Sequence, residues 1–538
     1  MVYTDEHIYY IKDFPILLCV GILSLCMLLA LFQKRYISKG ITIKQLKILA
    51  LILTVFFGTL MCVFILTMRL WPIYDQGTVL EGTREFQQGN YSRWTEGGYF
   101  AMFTIQNGMV FMEMPFALIF GDNAYIAIQI WNVLMLIMGY LGIAKIIKIF
   151  TDEKTAYYVY ICLLCIVPMW TNCTLVYGNY SAMTFSIWAI HFEILFEKRK
   201  KWKYILYSGV CIFFGLAWKT NAQVFWLTML IMLLVFGLRE KQWKNSVGGL
   251  ALVVFFGLLS LKGFPYLAHV ITGENTSQGI PLISWFAMGI QESSVAPGWF
   301  NEFQVNLYRN VSRDPAVISA ESVKSIQETL TVFGQNPGYM FRFFARKVGS
   351  MWADPALQCF DVVNTRNLEG EFSYLTKDIF YNGGKINTIL CVLLDIQQSM
   401  LYFGVVLYLI LFRKKQKLEH SHLIVAFFGG YLYHFLSEAK SQYILIYYVL
   451  LVPYAVMGYR CFITKLSFIN WKEKEERKVL LQSGSVRWGM TLAVLITIIW
   501  IGRGPIFENT VKIGTDTQNY IWYCQNETQW KADDYFKV

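Results

Sequence analysis

The feature that most constrains this chain is a succession of apolar runs, most of them long enough to cross the hydrocarbon core of a bilayer as a helix. Hydrophobic residues make up 56% of the sequence and charged residues only 15%, whereas soluble domains carry about 25% charged residues. This composition excludes a soluble enzyme, a disulfide-stapled secreted domain and a disordered scaffold. We therefore predict an all-α polytopic membrane protein with about twelve transmembrane helices. The predicted spans are 14–32, 48–68, 124–144, 156–171, 175–196, 204–218, 222–238, 246–263, 386–411, 421–437, 443–459 and 488–502.

Lysine and arginine residues collect in every second loop between these spans, and such basic loops face the cytosol under the positive-inside rule. The net charge of +11 is therefore a topological signal, and we expect no nucleic-acid partner. We predict a multi-pass protein of the cytoplasmic (plasma) membrane with both termini external. The basic loops are 34–47, 145–154, 198–203, 239–244, 413–417 and 460–487.

Two predicted external segments are much longer than the other outer loops. The first, 69–123, contains the apolar stretch 101–121. We place this stretch along the outer interface, because a crossing there would move every later basic loop to the outer side. The predicted organisation is an extra N-terminal transmembrane helix with a basic cytosolic loop (1–45), a transmembrane module (46–263), an external loop of about 120 residues (264–385), C-terminal transmembrane helices (386–504) and an external tail (505–538).

An acidic residue stands a few positions beyond the outer end of the second predicted span. Asp75, in the sequence WPIYDQ, is close enough to the membrane to reach the headgroup of a lipid phosphate and wet enough to stay ionised. Such a carboxylate can act as a general base toward a hydroxyl. A solvated loop acid or the N-cap of a following helix accounts for the same position, so the residue pattern alone leaves both interpretations open.

Several lysines lie at the outer ends of apolar spans, where a charge is costly and usually has an anionic partner. Snorkelling to the headgroups explains Lys262. Lys219 lies in a polar outer turn, WKTNAQ, and Lys440 lies in SEAKSQY beside Glu438. Polar clusters at the same depth on separate spans indicate one shared site on the outer face.

Motifs for other chemistries are missing from the sequence. There is no glycine-rich phosphate loop, no HExxH or GxSxG motif and no HxxxH spacing. We therefore predict no metal site and no resident cofactor, while a divalent metal stays compatible with the sequence.

Five stretches together resemble the GT-C-fold membrane glycosyltransferases, in particular the protein-mannosyltransferase-like (family 39) branch of Gram-positive bacteria. The resemblance implies a GT-C-like helical bundle with an interfacial helix in its first outer loop. The stretches are PIYDQGTVLEGTREFQQGNYSRWTEGGYF (72–100), LAWKTNAQ (216–223), APGWFN (296–301), NPGYMFRFFARKVGSMWADP (336–355) and GGYLYHFLSEAKSQYILIYY (429–448).

The resemblance implies that Asp75 is the catalytic base that activates an acceptor hydroxyl. It makes Lys219, Lys440 and Tyr443 candidates to hold a lipid-linked phosphate. The chain departs from eukaryotic members, which have an Asp-Glu pair at 75–76 and a His-Pro-Pro stretch at 104–107. It also lacks their carbohydrate-binding module, so protein O-mannosylation in particular is not implied. The other substrate-binding candidates are Arg346, Glu438 and Asn107.

The function that we expect is transfer of a sugar from a polyprenyl-phosphate-linked donor to an acceptor hydroxyl on the outer face, by an inverting single displacement. The acceptor would be a cell-envelope glycan, a teichoic acid or a protein. A partner would synthesise the donor on the cytosolic side, since nothing in the sequence indicates binding of a nucleotide sugar.

Two other classes stay open. A polysaccharide polymerase or ligase would use loop arginines such as Arg309 and Arg313. A lipid-linked glycan flippase would need cations near the middle of the bilayer.

Overall fold

The computed structural model describes residues 2–4, 7–11, 20–28, 31, 41–276, 279–366, 373–381, 384–412, 418–468 and 510–511. The described chain is predominantly helical, as predicted. A small sheet adds to this: β1 (Val2–Thr4) pairs antiparallel with β2 (His7–Ile11), which pairs in parallel with β3 (Thr510–Val511).

Residues 20–28 are helical, and the helices after them begin with a long apolar helix and alternate with short turns. The helices up to the large external loop are α1 (Ile43–Met68), α2 (Asp75–Gln87), α3 (Tyr99–Met102), α4 (Asn107–Phe120), α5 (Ala124–Phe150), α6 (Glu153–Leu164), α7 (Val167–Thr171), α8 (Asn179–Arg199), α9 (Trp202–Trp218), α10 (Gln223–Glu240) and α11 (Trp243–Thr272). The later helices are α12 (Ile283–Gly289), α13 (Phe303–Asn306), α14 (Pro315–Gln335), α15 (Pro337–Trp352), α16 (Cys359–Asn364), α17 (Tyr374–Phe380), α18 (Lys385–Phe412), α19 (His422–Leu436), α20 (Leu445–Tyr448) and α21 (Val452–Phe468).

Six helical segments of the described chain are long and apolar enough to cross a membrane, and a seventh follows if α6 and the bent segment after it form one span. Helices α9 and α19 are apolar but shorter. The predicted span 488–502, nearly all of the tail 505–538 and about half of the span 14–32 lie outside the described residues. The count of about twelve therefore stays a prediction. The six segments are Ile43–Met68, Thr104–Phe150, Thr220–Glu240, Trp243–Thr272, Tyr374–Leu411 and Leu445–Lys465.

Helix α8 lies at the centre of the bundle. It packs against α5 on one side and α9 on another, and side chains on all of its faces are buried. This position explains why α8 is polar for a helix within an apolar bundle: Ser181, Thr184 and Ser186 are enclosed by protein. Polar residues inside membrane proteins face the bundle interior in this way.

Helix α4 occupies the apolar stretch that we placed along the outer interface. Its 14 residues span about 21 Å, shorter than the roughly 30 Å hydrocarbon core. It packs on α2 and on the end of α9, where a Cβ at Gly108 would lie 2.6 Å from the carbonyl oxygen of Ala217. The helix is thus fastened to the end of the bundle that carries Asp75, and its interfacial placement stays a prediction.

Two turns approach each other closely at this same end. The turn before α8 contains Gly178, at φ +69°, and a Cβ there would lie 2.4 Å from the carbonyl oxygen of Trp218. Trp218 is the last residue of α9. Only glycine leaves room for that carbonyl. Because Tyr177 precedes Gly178 and Lys219 follows Trp218, this close contact fixes the distance between Tyr177 and Lys219.

We expect Gly178→Ala to lower the stability of the bundle. The left-handed backbone costs an alanine about 1–2 kcal/mol, and the clash with Trp218 adds roughly 1–3 kcal/mol. Gly89→Ala is the matched control, because Gly89 has φ +77° but open space around its missing Cβ. Thermal unfolding in detergent should show the larger loss for Gly178→Ala. Equal losses would mean that the contact with Trp218 does not constrain the turn.

Candidate functional site

A cleft of about 570 Å³, partly open to solvent, lies where the start of α2 meets α16 and the turn after α19. Asp75 and Lys440, predicted from separate parts of the sequence, both line it. The cleft is built from chain segments that are far apart in sequence but meet at helix ends. Its lining residues are Ile73, Tyr74, Asp75, Gln76, Tyr177, Gln358, Asp361, Val362, Thr365, Arg366, Lys440, Gln442 and Tyr443.

Asp75 is the first residue of α2 and is solvent-exposed. Tyr99 donates a hydrogen bond to its Oδ1 at 3.0 Å, and Tyr177 donates to its Oδ2 at 3.2 Å. The side-chain amide of Gln106 donates to the Tyr177 hydroxyl at 3.0 Å, so the single proton of that hydroxyl is directed to the carboxylate. The two tyrosines thus hold the carboxylate in one orientation while leaving it open to the cleft.

Lys219 meets Asp75 through the same tyrosine. Its Nζ lies 3.5 Å from the centre of the Tyr177 ring and 5.7 Å from the centre of the Tyr443 ring. The amine also donates to the backbone carbonyl of Tyr177 at 3.4 Å. Two aromatic faces hold the ammonium group by cation–π attraction, next to the hydroxyl that contacts Asp75.

The turn between α19 and α20 supplies the remaining predicted residues. Tyr443 donates a hydrogen bond to Glu438 at 3.4 Å. Lys347, a fully buried lysine of α15, fastens this turn from behind by donating to the carbonyl of Ser437 at 2.7 Å and to the carbonyl of Gly289. Because a buried ammonium needs acceptors, these carbonyls fix where the turn, and with it Lys440, can lie.

Arg366 is a buried cation at the cleft that the sequence did not indicate. It donates to the carbonyl of Thr174 at 2.7 Å and to Oε1 of Gln76 at 3.3 Å. The same Oε1 accepts a bond from the backbone of Val176 at 2.9 Å. Gln76, which stands where the resemblance expects a glutamate, therefore holds Arg366 and the chain before α8 beside the cleft.

Four residues predicted to bind substrate are not among those that line the cleft: Lys219, Glu438, Asn107 and Arg346. Lys219 and Glu438 contact the lining residues Tyr177 and Tyr443 from behind. Asn107 is buried, and its side chain accepts from the Trp94 indole at 2.8 Å and donates to the carbonyl of Thr104 at 2.9 Å. Arg346 is not among the residues that line the cleft and lies close enough to Glu292 to stabilise its charge. Asn107 supports the packing of the first outer loop, and Arg346 lies near Glu292 within the large external loop.

Two of the aromatic residues that organise the site, Tyr99 and Tyr177, were not singled out in the sequence. Tyr99 lies within the quoted stretch 72–100, directly after two glycines, and Tyr177 immediately precedes Gly178 at the start of a predicted span. Both positions carried a signal, since a tyrosine beside a glycine turn at a helix end faces the headgroup region. Arg366 carried none.

Burial shifts two titrating groups that lie directly behind the cleft lining toward neutrality. It lowers the pKa of Lys219 to about 7, although the nearby charges of Asp75 and Glu438 raise it. Burial also raises the pKa of Glu438 to about 7, against the opposing effect of Lys440. The charge of the cleft therefore changes near neutral pH: below this range both groups are protonated, and above it Lys219 is neutral while Glu438 is anionic.

The comparisons with known proteins add one family match. A family model described as dolichyl-phosphate-mannose-protein mannosyltransferase matches residues 110–262. This segment is less than half of the chain; it contains Tyr177 and Lys219 and excludes Asp75 and Lys440. The match agrees with the resemblance inferred from the sequence. A comparison with curated proteins finds no match.

Solved structures of an archaeal enzyme show distant similarity. The apo oligosaccharyltransferase of Archaeoglobus fulgidus is 11% identical, with a TM-score of 0.39, covering 96% of this chain and 59% of that one. The oligosaccharyltransferase AglB of the same organism, in complex with an inhibitory peptide and a dolichol-phosphate, is 13% identical with a TM-score of 0.39, covering 91% and 59%. The chain thus spans about three fifths of the length of these structures.

The cleft should bind an anionic lipid phosphodiester more weakly as the pH rises through about 7. Deprotonation removes the positive charge of Lys219 and adds a negative charge at Glu438, and both changes disfavour an anion. The loss of one charged hydrogen bond corresponds to an affinity decrease on the order of tenfold. Titration of the purified protein with a polyprenyl phosphate sugar at several pH values measures this decrease in affinity. The ligand itself does not titrate, because a phosphodiester keeps a constant charge over this pH range.

Lys219→Arg is the matched variant for that titration, since an arginine stays charged throughout. It should retain more of its affinity above pH 7 than the wild type. An affinity that is constant across this pH range in the wild type would contradict the assignment of these groups to the anion site.

Proposed function

We propose that the protein is an integral-membrane glycosyltransferase that moves a sugar from a polyprenyl-phosphate-linked donor to an acceptor hydroxyl. The reaction takes place at the external face of the cytoplasmic membrane, and the acceptor is a cell-envelope glycan, a teichoic acid or a protein. The lipid tail of the donor lies in the bilayer beside the bundle, and its phosphate and sugar enter the cleft at the helix ends.

The observation that carries this proposal is the meeting of Asp75 and Lys219 at Tyr177. A single exposed acid is explained by solvation or helix capping, and a single lysine at a span end by snorkelling to the headgroups. Here a carboxylate and an amine from separate turns converge on one aromatic side chain, and Lys440 and Arg366 line the same cleft. A general base opposite a group of cations is what transfer away from a phosphate requires.

The reaction is a single displacement. Asp75 accepts the proton of the acceptor hydroxyl while the acceptor oxygen forms a bond to the anomeric carbon of the sugar. The bond from that carbon to the phosphate oxygen breaks, and the configuration inverts. Negative charge develops on the departing lipid phosphate, where Lys219 and Lys440 stabilise it.

Arg366 and the tyrosines complete these roles. Arg366 is buried beside Gln76 and adds a permanent charge to the phosphate side of the cleft, since a guanidinium stays protonated at neutral pH. Tyr99 and Tyr177 hold the carboxylate of Asp75 toward the acceptor. Each carboxylate oxygen accepts one tyrosine hydrogen bond, and its remaining lone pairs can receive a proton.

The family match supports a lipid-linked donor, because the matching model describes enzymes that use dolichyl phosphate mannose. The match covers the segment that holds Lys219, the predicted phosphate ligand. The geometry gives less support to the alternatives. Arg313, which a polymerase or ligase would need, forms an ion pair with Glu96 and does not line the cleft. The cations of the cleft lie at helix ends, whereas a flippase would need them in the middle of the bundle.

Asp75→Asn should abolish sugar transfer without preventing donor binding. The asparagine keeps the shape of the side chain but cannot accept the proton, and loss of a general base lowers turnover by about 10²–10⁴-fold. The measurement uses purified protein, a radiolabelled polyprenyl phosphate sugar and the release of free lipid phosphate. Binding of the same lipid shows that the variant is folded.

Asp122→Asn is the matched control, because Asp122 is an exposed acid of the same outer loop that pairs with Arg84 and lies outside the cleft. Its turnover should equal that of the wild type. Undiminished turnover of Asp75→Asn would remove Asp75 from the role of base. Movement of intact lipid across vesicles without release of lipid phosphate would instead identify a flippase.

A further inference from the structure

A cluster of three ligating side chains lies in the bundle far from the cleft. Glu193 and Glu197 are one turn apart on α8, and His422 is the first residue of α19. His422 Nε2 lies 3.3 Å from Glu197 Oε1 and 3.9 Å from Glu193 Oε1. One ligand atom from each of the three residues lies within 4.8 Å of the other two. The cluster is mixed in chemistry, with two carboxylates and one imidazole.

The cluster is enclosed by protein, and several of its polar side-chain atoms have no hydrogen-bond partner among the described residues. The side chains of Glu193 and His422 are 0% exposed, and that of Glu197 is 7% exposed. Among the described residues, neither carboxylate oxygen of Glu193 has a hydrogen-bond partner. Lys200 follows the end of α8, but its amine lies over the Phe236 ring, 4.0 Å from the ring centre. A buried carboxylate without donors is strongly unfavourable, so the cluster needs a neutralising partner, which is either a proton or a cation between the three side chains.

We propose that Glu193, Glu197 and His422 bind one divalent transition-metal ion, of which Zn²⁺ fits best. Zinc takes imidazole nitrogen and carboxylate oxygen at about 2.0–2.2 Å, which places the ligand atoms of a tetrahedral ion roughly 3.3–3.6 Å apart. The separations of 3.3 and 3.9 Å are close to this spacing. The proposal departs from the prediction of no metal site.

The two glutamates suit this role because residues four apart lie on one face of a helix. A single helix therefore presents both carboxylates to the imidazole of its neighbour. Three protein ligands leave the fourth position of a tetrahedral zinc ion to a water molecule.

The ion would connect α8 and α19, two helices that run from the cluster to the cleft. Helix α8 begins directly after Tyr177 and Gly178, and α19 ends directly before Ser437 and Glu438. Glu193 lies 14 residues along α8, about 21 Å from its start at 1.5 Å per residue. A metal ion here would hold α8 and α19 together at the end opposite the cleft, and so keep Tyr177 and Glu438 in register.

The experiment is metal analysis of the full-length protein in detergent, stripped with a chelator, incubated with Zn²⁺ and passed through a desalting column. The wild type should retain one Zn²⁺ per chain, and added Zn²⁺ should raise its unfolding temperature. Glu193→Gln and His422→Gln should each lose nearly all bound Zn²⁺ and show no rise in unfolding temperature, because each removes one of three ligands. The readout is independent of sugar transfer.

His191→Gln is the matched control, since His191 is a buried histidine of the same helix that lies outside the three-residue cluster. It should bind Zn²⁺ like the wild type. Folding is checked by monodisperse size-exclusion profiles and by lipid phosphate binding at the cleft. The proposal is overturned if the wild type retains no more Zn²⁺ than Glu193→Gln, which would indicate that a shared proton neutralises the cluster. It is equally overturned if His191→Gln loses as much Zn²⁺ as His422→Gln.

Discussion

The ring of Tyr177 carries a cation on its face and a carboxylate at its hydroxyl, and the arrangement of the cleft depends on this double contact. Lys219 is held against the ring, and Asp75 receives the phenolic proton. A rigid aromatic side chain sets both distances at once and keeps the two opposite charges from collapsing into a direct ion pair. In the proposed reaction the carboxylate is open to the acceptor hydroxyl, and the charge of the amine acts on the cleft from behind the Tyr177 ring.

The sequence predicted that Asp75, Lys219 and Lys440 share one side of the membrane, and the structure brings the three residues to one end of the bundle. Alternating basic loops place the ends of successive spans on alternating sides, so Asp75, Lys219 and Lys440 could all be assigned to one side. The lateral order of the helices is a matter of tertiary packing, which hydropathy does not encode. The meeting of Asp75 and Lys219 at one tyrosine therefore rested on the structure.

Residues whose role depends on a distant partner were the hardest to interpret from sequence. Asn107 is a polar residue within an apolar stretch, which suggested a ligand. In the structure its side-chain oxygen accepts a hydrogen bond from the Trp94 indole. Arg366 stands in a polar loop where a cation is ordinary, and only its burial at the cleft distinguishes it. The spacing of Glu193 and Glu197 is visible in the sequence, whereas His422 lies 225 residues beyond Glu197.

The buried ammonium of Lys347 has a mechanical consequence. It joins the carbonyls of Gly289 and Ser437, so the large external loop is tied to the turn that bears Lys440. A headgroup that enters the cleft would therefore displace this turn only together with the outer loop, whereas the exposed ring of Tyr74 lines the cleft from a separate segment. The side of the cleft that carries Lys440 is therefore the more constrained of the two.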